Sequence, residues 1–400
     1  MPLLSLAEVR TFINQAVRPL EPAVTPLAEA QGRVLREDVL APEDLPAFDR
    51  SAMDGYAVGA GDTAERFRVI GEIQPGQSSE LELHIGECAR IFTGARVPPG
   101  ATQIIIQEEV ERDGEWMIPR QRDARTWIRG RGEDARRGDR LLAAGIRLRA
   151  GELSLLAQLG VIHPRVSPAP RVLHFATGNE LVDPSTQPRV GQIRDSNSTL
   201  VAALVAETGA RLLAQERCGD ALLELTGLVT AHPVDDWDVL LISGGASVGD
   251  YDFGVRALER LGFTIHFRQV NLRPGKPLVF ATRERQIAFV IPGNPVSHFV
   301  TFHVAIRLAL ECLERGPQAW ALAHVALAAD LPMKPDARET WWPARVTFDN
   351  GALRAHPLAW QSSGDLRGLV AANALLPIPP GTGALRCGAE CRVLLLNFNW

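Results

Sequence analysis

Two aspartates, Asp250 and Asp252, stand near the end of "SGGASVGDYDF" (residues 243–253), which follows the apolar "WDVLLI". Small residues ahead of a helix start let a ligand approach the backbone, and consecutive N–H groups there cradle an anion. A phosphate suits such a cradle. Carboxylates beside a phosphate repel it unless a cation intervenes, and magnesium is the usual mediator, held by one or two carboxylates and by phosphate oxygens. Glu180, two residues after Gly178 in "TGNE", brings a further carboxylate to a comparable loop. Taken singly, Asp250 also reads as a helix cap and Asp252 as a solvated side chain.

Cations for an oxyanion occur in "NLRPGKP", where Arg273 and Lys276 flank a Pro-Gly turn that can aim both at one ligand. An exposed basic turn is the alternative. In "FDRSAMDGYAV" (residues 48–58), Met53 and Tyr56 sit among small and acidic residues with no clear period, which marks an ordered functional loop. Asp54 is its reactive group, or else the anchor of an Asx-turn. "RGRGEDARRGD" (residues 129–139) reads alone as a solvated charged loop, and Asp134 gains interest only from its company. No Ser-His-Asp order, Cys-His pair or zinc spacing stands out. The five cysteines are odd in number and scattered, so they read as free thiols. His298 and His303 read as packing or surface residues.

These groups need elements to place them. At 400 residues the chain exceeds one core, and several domains of about 100 to 150 residues are expected. Apolar residues make up 46%, charged residues 22%, and the net charge is −5, as in an ordinary globular protein with nothing that demands nucleic acid. Hydrophobic runs fall short of the ~20 residues that span a bilayer, and no basic-then-apolar leader opens the chain, so no membrane partner and a cytoplasmic location are expected.

Ser5 and Glu8 form a capping box ahead of a helically spaced Leu6, Val9, Ile13 and Val17. From about residue 42 to 123, short β-branched runs separated by turn residues predict a small β-rich domain. A helical segment at "ELSLLAQLGV" and a proline-rich "HPRVSPAPR" follow, with a boundary near Pro170. Strands and helices then alternate from "RVLHFATG" to "IAFVIPGNP", the pattern of a doubly wound α/β domain. Beyond about residue 318 the texture returns to short strands. If the strands ending before "TGNE", "SGGASVGDYD" and "PGNP" are parallel, all three loops crowd the carboxyl edge, where open sheets bind ligands.

In this order, "FDRSAMDGYAV", "RIFTGARVPPGA", "RGEDARRGD", "TGNEL", "SGGASVGDYDF", "RPGKP" and "PGNPVS" resemble the molybdopterin molybdenumtransferase family, the MoeA proteins and the gephyrin E domain. The resemblance runs from the first helix to "WQSSGDLRGLVAANALLPIPPG", essentially the whole chain. It implies a multi-domain α/β plus β fold in four parts: an elongated N-terminal domain (residues 1–45 and 135–170), an inserted β-rich lid (46–134), a molybdopterin-binding α/β domain (171–317) and a C-terminal β-barrel domain (318–400).

The resemblance implies that adenylated molybdopterin binds the α/β domain, and that Mg2+ with molybdate as substrate drives phosphoanhydride cleavage and AMP release. Ser243, Gly244, Gly245, Ser247, Gly249 and Asp250 would cradle the nucleotide phosphate, joined by Pro292, Gly293, Asn294 and Pro295. Glu180 and Asp252 would manage the metal and the scissile phosphate. Molybdate, a tetrahedral dianion, would meet Arg273, Lys276, Ser297, Ser363 and, from "ARETWWPAR", Arg338. A homodimer is implied, with Asp54, Thr93 and Asp134 acting across the two-fold interface. Further implied partners are the molybdopterin adenylyltransferase and downstream molybdenum cofactor proteins. Asn179, where the family often has Asp, removes one anionic ligand, and Gln269 replaces a frequent lysine. Two competing readings are a molybdopterin adenylyltransferase, sharing the glycine loop, and a non-catalytic scaffold of the same fold.

Overall fold

The computed structural model describes residues 3–59, 61–77, 80–245, 253–316, 322–349 and 351–396. Helix α1 (Leu6–Ala16) opens on the expected capping box: Glu8 N–H donates to the Ser5 hydroxyl, and the Glu8 carboxylate accepts from Ser5 N–H at 2.7 Å. Its Leu6, Val9 and Ile13 are buried. The chain packs as two compact units, Glu37–Ala144 with Ser154–Val161 forming one and the remainder the other.

The first of these units is built on a six-stranded sheet of β1 (Gly55–Gly59), β2 (Phe67–Ile73), β3 (Glu87–Ile91), β4 (Ala101–Ile106), β5 (Val110–Asp113) and β6 (Trp116–Pro119). The strand order is β4-β1-β3-β2-β6-β5, antiparallel except between β2 and β3. Alternate residues serve two small cores, one around Ala57, Ile73, Ala89 and Ile91 and one around Tyr56, Val58, Phe67 and Cys88.

The other unit holds the α/β fold: β7 (Arg171–Thr177), α2 (Asn197–Glu207), β8 (Arg211–Cys218), α3 (Leu222–Thr230), β9 (Val239–Ser243), α4 (Phe253–Arg260), β10 (Thr264–Phe267), β11 (Val279–Arg283), β12 (Gln286–Ile291) and α5 (Pro295–Glu314). The sheet order is β8-β7-β9-β12-β11-β10. The first four strands are parallel, and β11 and β10 close one edge as an antiparallel ribbon. β7, β9 and β12 carry near-continuous apolar runs because both faces are covered. Val172, Val239, Leu241, Ile287 and Phe289 pack with α1, α2 and α5; the alternating Leu173, Leu240, Ile242, Ala288 and Val290 pack with α3 and α4.

Helix α5 is long and apolar enough to cross a membrane by composition, but it is almost wholly buried inside the protein, which makes it a core helix. It carries a π-helical stretch at Phe302–Ile306. Beyond it, β13 (Leu322–Leu327), β14 (Glu339–Asp349), β15 (Ala352–Pro357), β16 (Ala374–Ile378) and β17 (Glu390–Leu395) form a closed five-stranded barrel in the order β14-β15-β13-β17-β16, with β16 pairing back to β14. The two-residue strand Leu272–Arg273 extends that sheet through β14, which ties the basic turn to the barrel.

Candidate functional site

β8 and β9 lie on opposite sides of β7, so the chain's winding reverses between β7 and β9, and a crevice opens there beyond the carboxyl ends. The three loops expected at that edge meet in it. Thr177, Gly178, Glu180, Ser243, Gly244, Gly245 and the residues Pro292, Gly293, Asn294 and Pro295 line one cleft of about 640 Å³. Ser247, Gly249, Asp250 and Asp252 lie outside the described residues.

Glycine is required at the floor. Gly244 has φ +92°, and a β-carbon there would lie 2.6 Å from the Thr177 carbonyl oxygen. Gly245, at φ +63°, packs against the start of α4, whose Gly254 N–H donates to its carbonyl at 3.3 Å. Glu180 is exposed, and its carboxylate lies over Gly178, where a β-carbon would come within 2.7 Å of it. The Asn179 side chain accepts from Asp220 N–H at 3.3 Å, so the amide anchors the turn after β8 and brings Asp220 to the cleft wall. The buried carboxylate of Asp195 is occupied with Ser198, accepting from its N–H at 3.0 Å and its hydroxyl at 2.5 Å.

A second cavity, of about 280 Å³, shares Pro277, Pro292 and Asn294 with the first. Arg273, Lys276, Ser297, Arg338 and Ser363 all line it, gathered from the basic turn, the start of α5, the approach to β14 and the loop after β15. Gly275, at φ +114°, turns the chain between the two cations, and its missing β-carbon leaves room for the Thr301 methyl. The Val296 N–H donates to the Ser363 carbonyl at 3.0 Å, which pins the two serine-bearing segments together.

Asp336 orders the cations. Its carboxylate accepts from Arg273 Nη1 at 3.1 Å and from Arg338 Nε at 3.0 Å and Nη2 at 3.1 Å. The Arg338 bonds hold its pKa below the usual carboxylate range, with Arg273 adding to the effect. Two of the three cations thus share one carboxylate, whereas Lys276 forms no ion pair among the described residues. Arg273 also lies over the Trp360 ring at 5.8 Å. The cavity therefore offers two fixed guanidinium forks, a free ammonium and two hydroxyls, a set that matches a tetrahedral dianion.

Asp54, Thr93 and Asp134 belong to the other unit. Asp54 accepts from Thr93 N–H at 2.8 Å and from its hydroxyl at 2.7 Å, bonds that hold its carboxyl below the ordinary range. Asp134 is paired with Arg129.

Sequence reasoning missed Asp336, Asp220 and Trp360. "KPDAR" is a turn signal that could have flagged Asp336 as an anchor for Arg338, but nothing local links it to Arg273, 63 residues away. His298 is buried, in keeping with a packing role, yet it and His174 both contact the Ser243 hydroxyl.

Residues 4–160 match the MoeA N-terminal region (domain I and II), 174–311 the probable molybdopterin binding domain, and 325–396 the MoeA C-terminal region (domain IV). A molybdopterin molybdenumtransferase of Bacillus subtilis is 34% identical over 385 residues, 93% of this chain and 89% of that protein. Molybdopterin molybdenumtransferase 2 of Mycobacterium tuberculosis is 33% identical over 97% of this chain and 98% of that protein. A crystal structure of the molybdopterin biosynthesis moeA protein from Pyrococcus horikoshii superposes with a TM-score of 0.82 at 28% identity, covering 98% of this chain and all of that one. With the three regions in order and the likeness running nearly end to end, the chain belongs to the molybdopterin molybdenumtransferase family, enzymes of molybdenum cofactor biosynthesis.

Proposed function

We propose that the cleft binds adenylated molybdopterin, that the adjoining cavity binds molybdate, and that molybdenum transfer is coupled to cleavage of the phosphoanhydride with release of AMP. One observation carries this reading: Arg273, Lys276, Ser297, Arg338 and Ser363, the five residues expected from sequence to meet the oxyanion, line a single cavity that shares a wall with the glycine-floored cleft. A molybdopterin adenylyltransferase would have no use for that second cavity.

In this reading the nucleotide phosphate approaches the backbone at Gly244 and Gly245, where no side chain stands in front of it; the Gly244 N–H is taken by the Ile291 carbonyl, so the donor offered there is the Gly245 N–H. Arg273 and Arg338 orient molybdate through forks that Asp336 has already fixed, so little side-chain freedom is lost on binding. Lys276 supplies a point charge. Molybdate and phosphate are both anionic, and bringing them together is the main electrostatic obstacle; the cations between them lower it.

Magnesium fits this donor set. Among the described residues no three metal-ligating side chains cluster, but Mg2+ takes one or two carboxylates and completes its shell from phosphate and water. Glu180 and Asp220 line the cleft, and Asp252 is expected nearby from sequence. When bound, the ion would neutralise charge on the phosphoanhydride oxygens. Glu180 would then hold the ion or orient the attacking water.

The chain acts as a cytoplasmic homodimer in this reading, with Asp54, Thr93 and Asp134 contributed across the two-fold interface. The deciding experiment is AMP release from adenylated molybdopterin and Mg2+, with and without molybdate. Release that ignores molybdate would overturn the coupling.

A further inference from the structure

Beneath the glycine floor lies a row of polar groups, buried at its centre, that the proposed transfer reaction does not use. The His174 Nε2 is 2.6 Å from the Ser243 hydroxyl, and the His298 Nε2 is 2.7 Å from the same oxygen. Gln215 Nε2 is 2.8 Å from His174 Nδ1 and 2.9 Å from the Ser198 carbonyl. His298 Nδ1 is 3.2 Å from the Asn294 carbonyl. Both rings are buried, at 0% and 1% exposure, and Ser243 at 3%.

With both rings neutral, only one arrangement of protons satisfies all of these contacts. A backbone carbonyl can only accept, so Gln215 must turn its NH2 toward Ser198 and therefore toward His174. The Nδ1 of His174 then accepts, and its proton sits on Nε2, donating to Ser243. At the far end the Asn294 carbonyl requires the proton of His298 on Nδ1, so its Nε2 accepts from the Ser243 hydroxyl. Donation thus runs from Gln215 through His174, Ser243 and His298 to Asn294 without a mismatch.

The row has consequences for geometry. It crosses β8, β7 and β9 and ends in the turn before α5, so it joins the residue preceding Gly244 to the wall shared by the cleft and the oxyanion cavity. The same two segments meet on the backbone, where Gly244 N–H donates to the Ile291 carbonyl at 3.0 Å. A fully satisfied buried network fixes one arrangement, whereas a partly satisfied one loosens it.

We propose that His174 and His298 are positioning residues, which act through the Ser243 hydroxyl to hold the glycine floor and the 292–295 turn in one register. The inference rests on the reading of cleft and cavity as the substrate site. Both rings must stay neutral to do this: a proton added to His174 Nδ1 faces the Gln215 NH2, and one added to His298 Nε2 deprives the Ser243 hydroxyl of its acceptor. Burial keeps them neutral, lowering the His174 pKa to about 3 and that of His298 to about 4. Asp195 is the charged group facing both rings, and each ring faces the other.

The test compares AMP release by His298→Leu, Ser243→Ala, the double variant and His298→Gln, with unfolding midpoints as controls. Each of the first two lowers kcat on the order of tenfold through lost positioning. The double variant is no worse than either, and His298→Gln, which retains a neutral acceptor, recovers to within about threefold of wild type. Multiplying effects, or a Gln variant as impaired as Leu, would overturn the proposal. Should His298→Leu fail to fold, nitrogen NMR of the wild-type histidines decides independently of turnover: opposite neutral tautomers at 174 and 298 at pH 7 are expected, and a shared tautomer or a protonated ring refutes the network. Failure of wild-type protein to release AMP would count against the substrate reading and leave the tautomer result standing.

Discussion

Replacing Lys276 by alanine removes one of three cations lining the cavity proposed for molybdate and leaves two guanidiniums partly offset by Asp336. Unit charges 4 Å apart interact by about 4 kcal/mol at an effective dielectric near 20. Solvent reaches this cavity, since the side chains of Arg273 and Arg338 keep 37% and 34% of their exposure, so that figure is too large. A hydrogen bond to a charged group, about 1.5 to 3 kcal/mol, is the better guide. The molybdate concentration for half-maximal AMP release is therefore expected to rise about 10- to 150-fold. The kcat at saturating molybdate changes by less than about threefold, because the ammonium binds the ground state as well as the transition state. Lys276→Arg, which keeps the charge, falls between. Lys276 forms no ion pair among the described residues, so the unfolding midpoint serves as a control and stays within about 0.5 kcal/mol of wild type. An unchanged molybdate dependence in a folded Lys276→Ala protein would refute the assignment of this cavity to molybdate.

Glu180→Gln and, from the sequence reading, Asp252→Asn are expected to lower AMP release by at least about 100-fold while leaving the fold and nucleotide binding intact; undiminished turnover in either removes that residue from the mechanism. Mixing equal amounts of Asp54→Asn and Lys276→Ala protein, each inactive at low molybdate, should restore about a quarter of wild-type activity if Asp54 acts across a two-fold dimer, since half the sites in half the dimers are intact. No recovery after subunit exchange would place Asp54 in its own chain's site. Gly244→Ala forces a β-carbon against the Thr177 carbonyl at positive φ, with an expected cost of about 1 to 3 kcal/mol read from urea midpoints, and a wild-type midpoint would contradict the floor geometry. Burial lowers the pKa of His174, His298 and His303 to about 3, 4 and 3, so the unfolded chain binds more protons than the folded one below pH 6.5. Their contribution is fully present above pH 6.5 and is lost as pH falls toward 4, measured as a falling thermal midpoint; a flat profile there would show the rings to be solvated.

The reach of sequence reasoning follows the distance over which each feature is determined. The apolar runs of β7, β9 and β12 and the small residues after them are local signals, and they led to the three loops that meet in the cleft. The antiparallel β11 and β10 at the sheet edge were not foreseen, because an apolar run does not encode the direction of its partner. Arg273, Lys276, Ser297, Arg338 and Ser363 are spread over 90 residues, and only the motif resemblance nominated them together; no periodicity or spacing could. Asp336 was invisible for the same reason, since its value lies in reaching Arg273 across the fold. In the sequence His174 is one polar residue inside an apolar strand, and its meaning requires His298, 124 residues later, to fall on the other side of one serine.

Asn179 reads differently with the fold in view. As a replaced carboxylate it suggested weaker metal binding, yet its amide anchors the turn that presents Asp220 to the same cleft. Asp220, in the turn after β8, thus lines the cleft together with Glu180.

Whether this chain couples molybdate to phosphoanhydride cleavage is decided by incubating the purified protein with adenylated molybdopterin and Mg2+ and following AMP release as molybdate is added. Molybdate-coupled transfer entails negligible release without molybdate, saturable release with it, and a product that reconstitutes an apo-molybdoenzyme. Binding of the nucleotide substrate with no molybdate-dependent release would contradict it and leave a scaffold of the same fold.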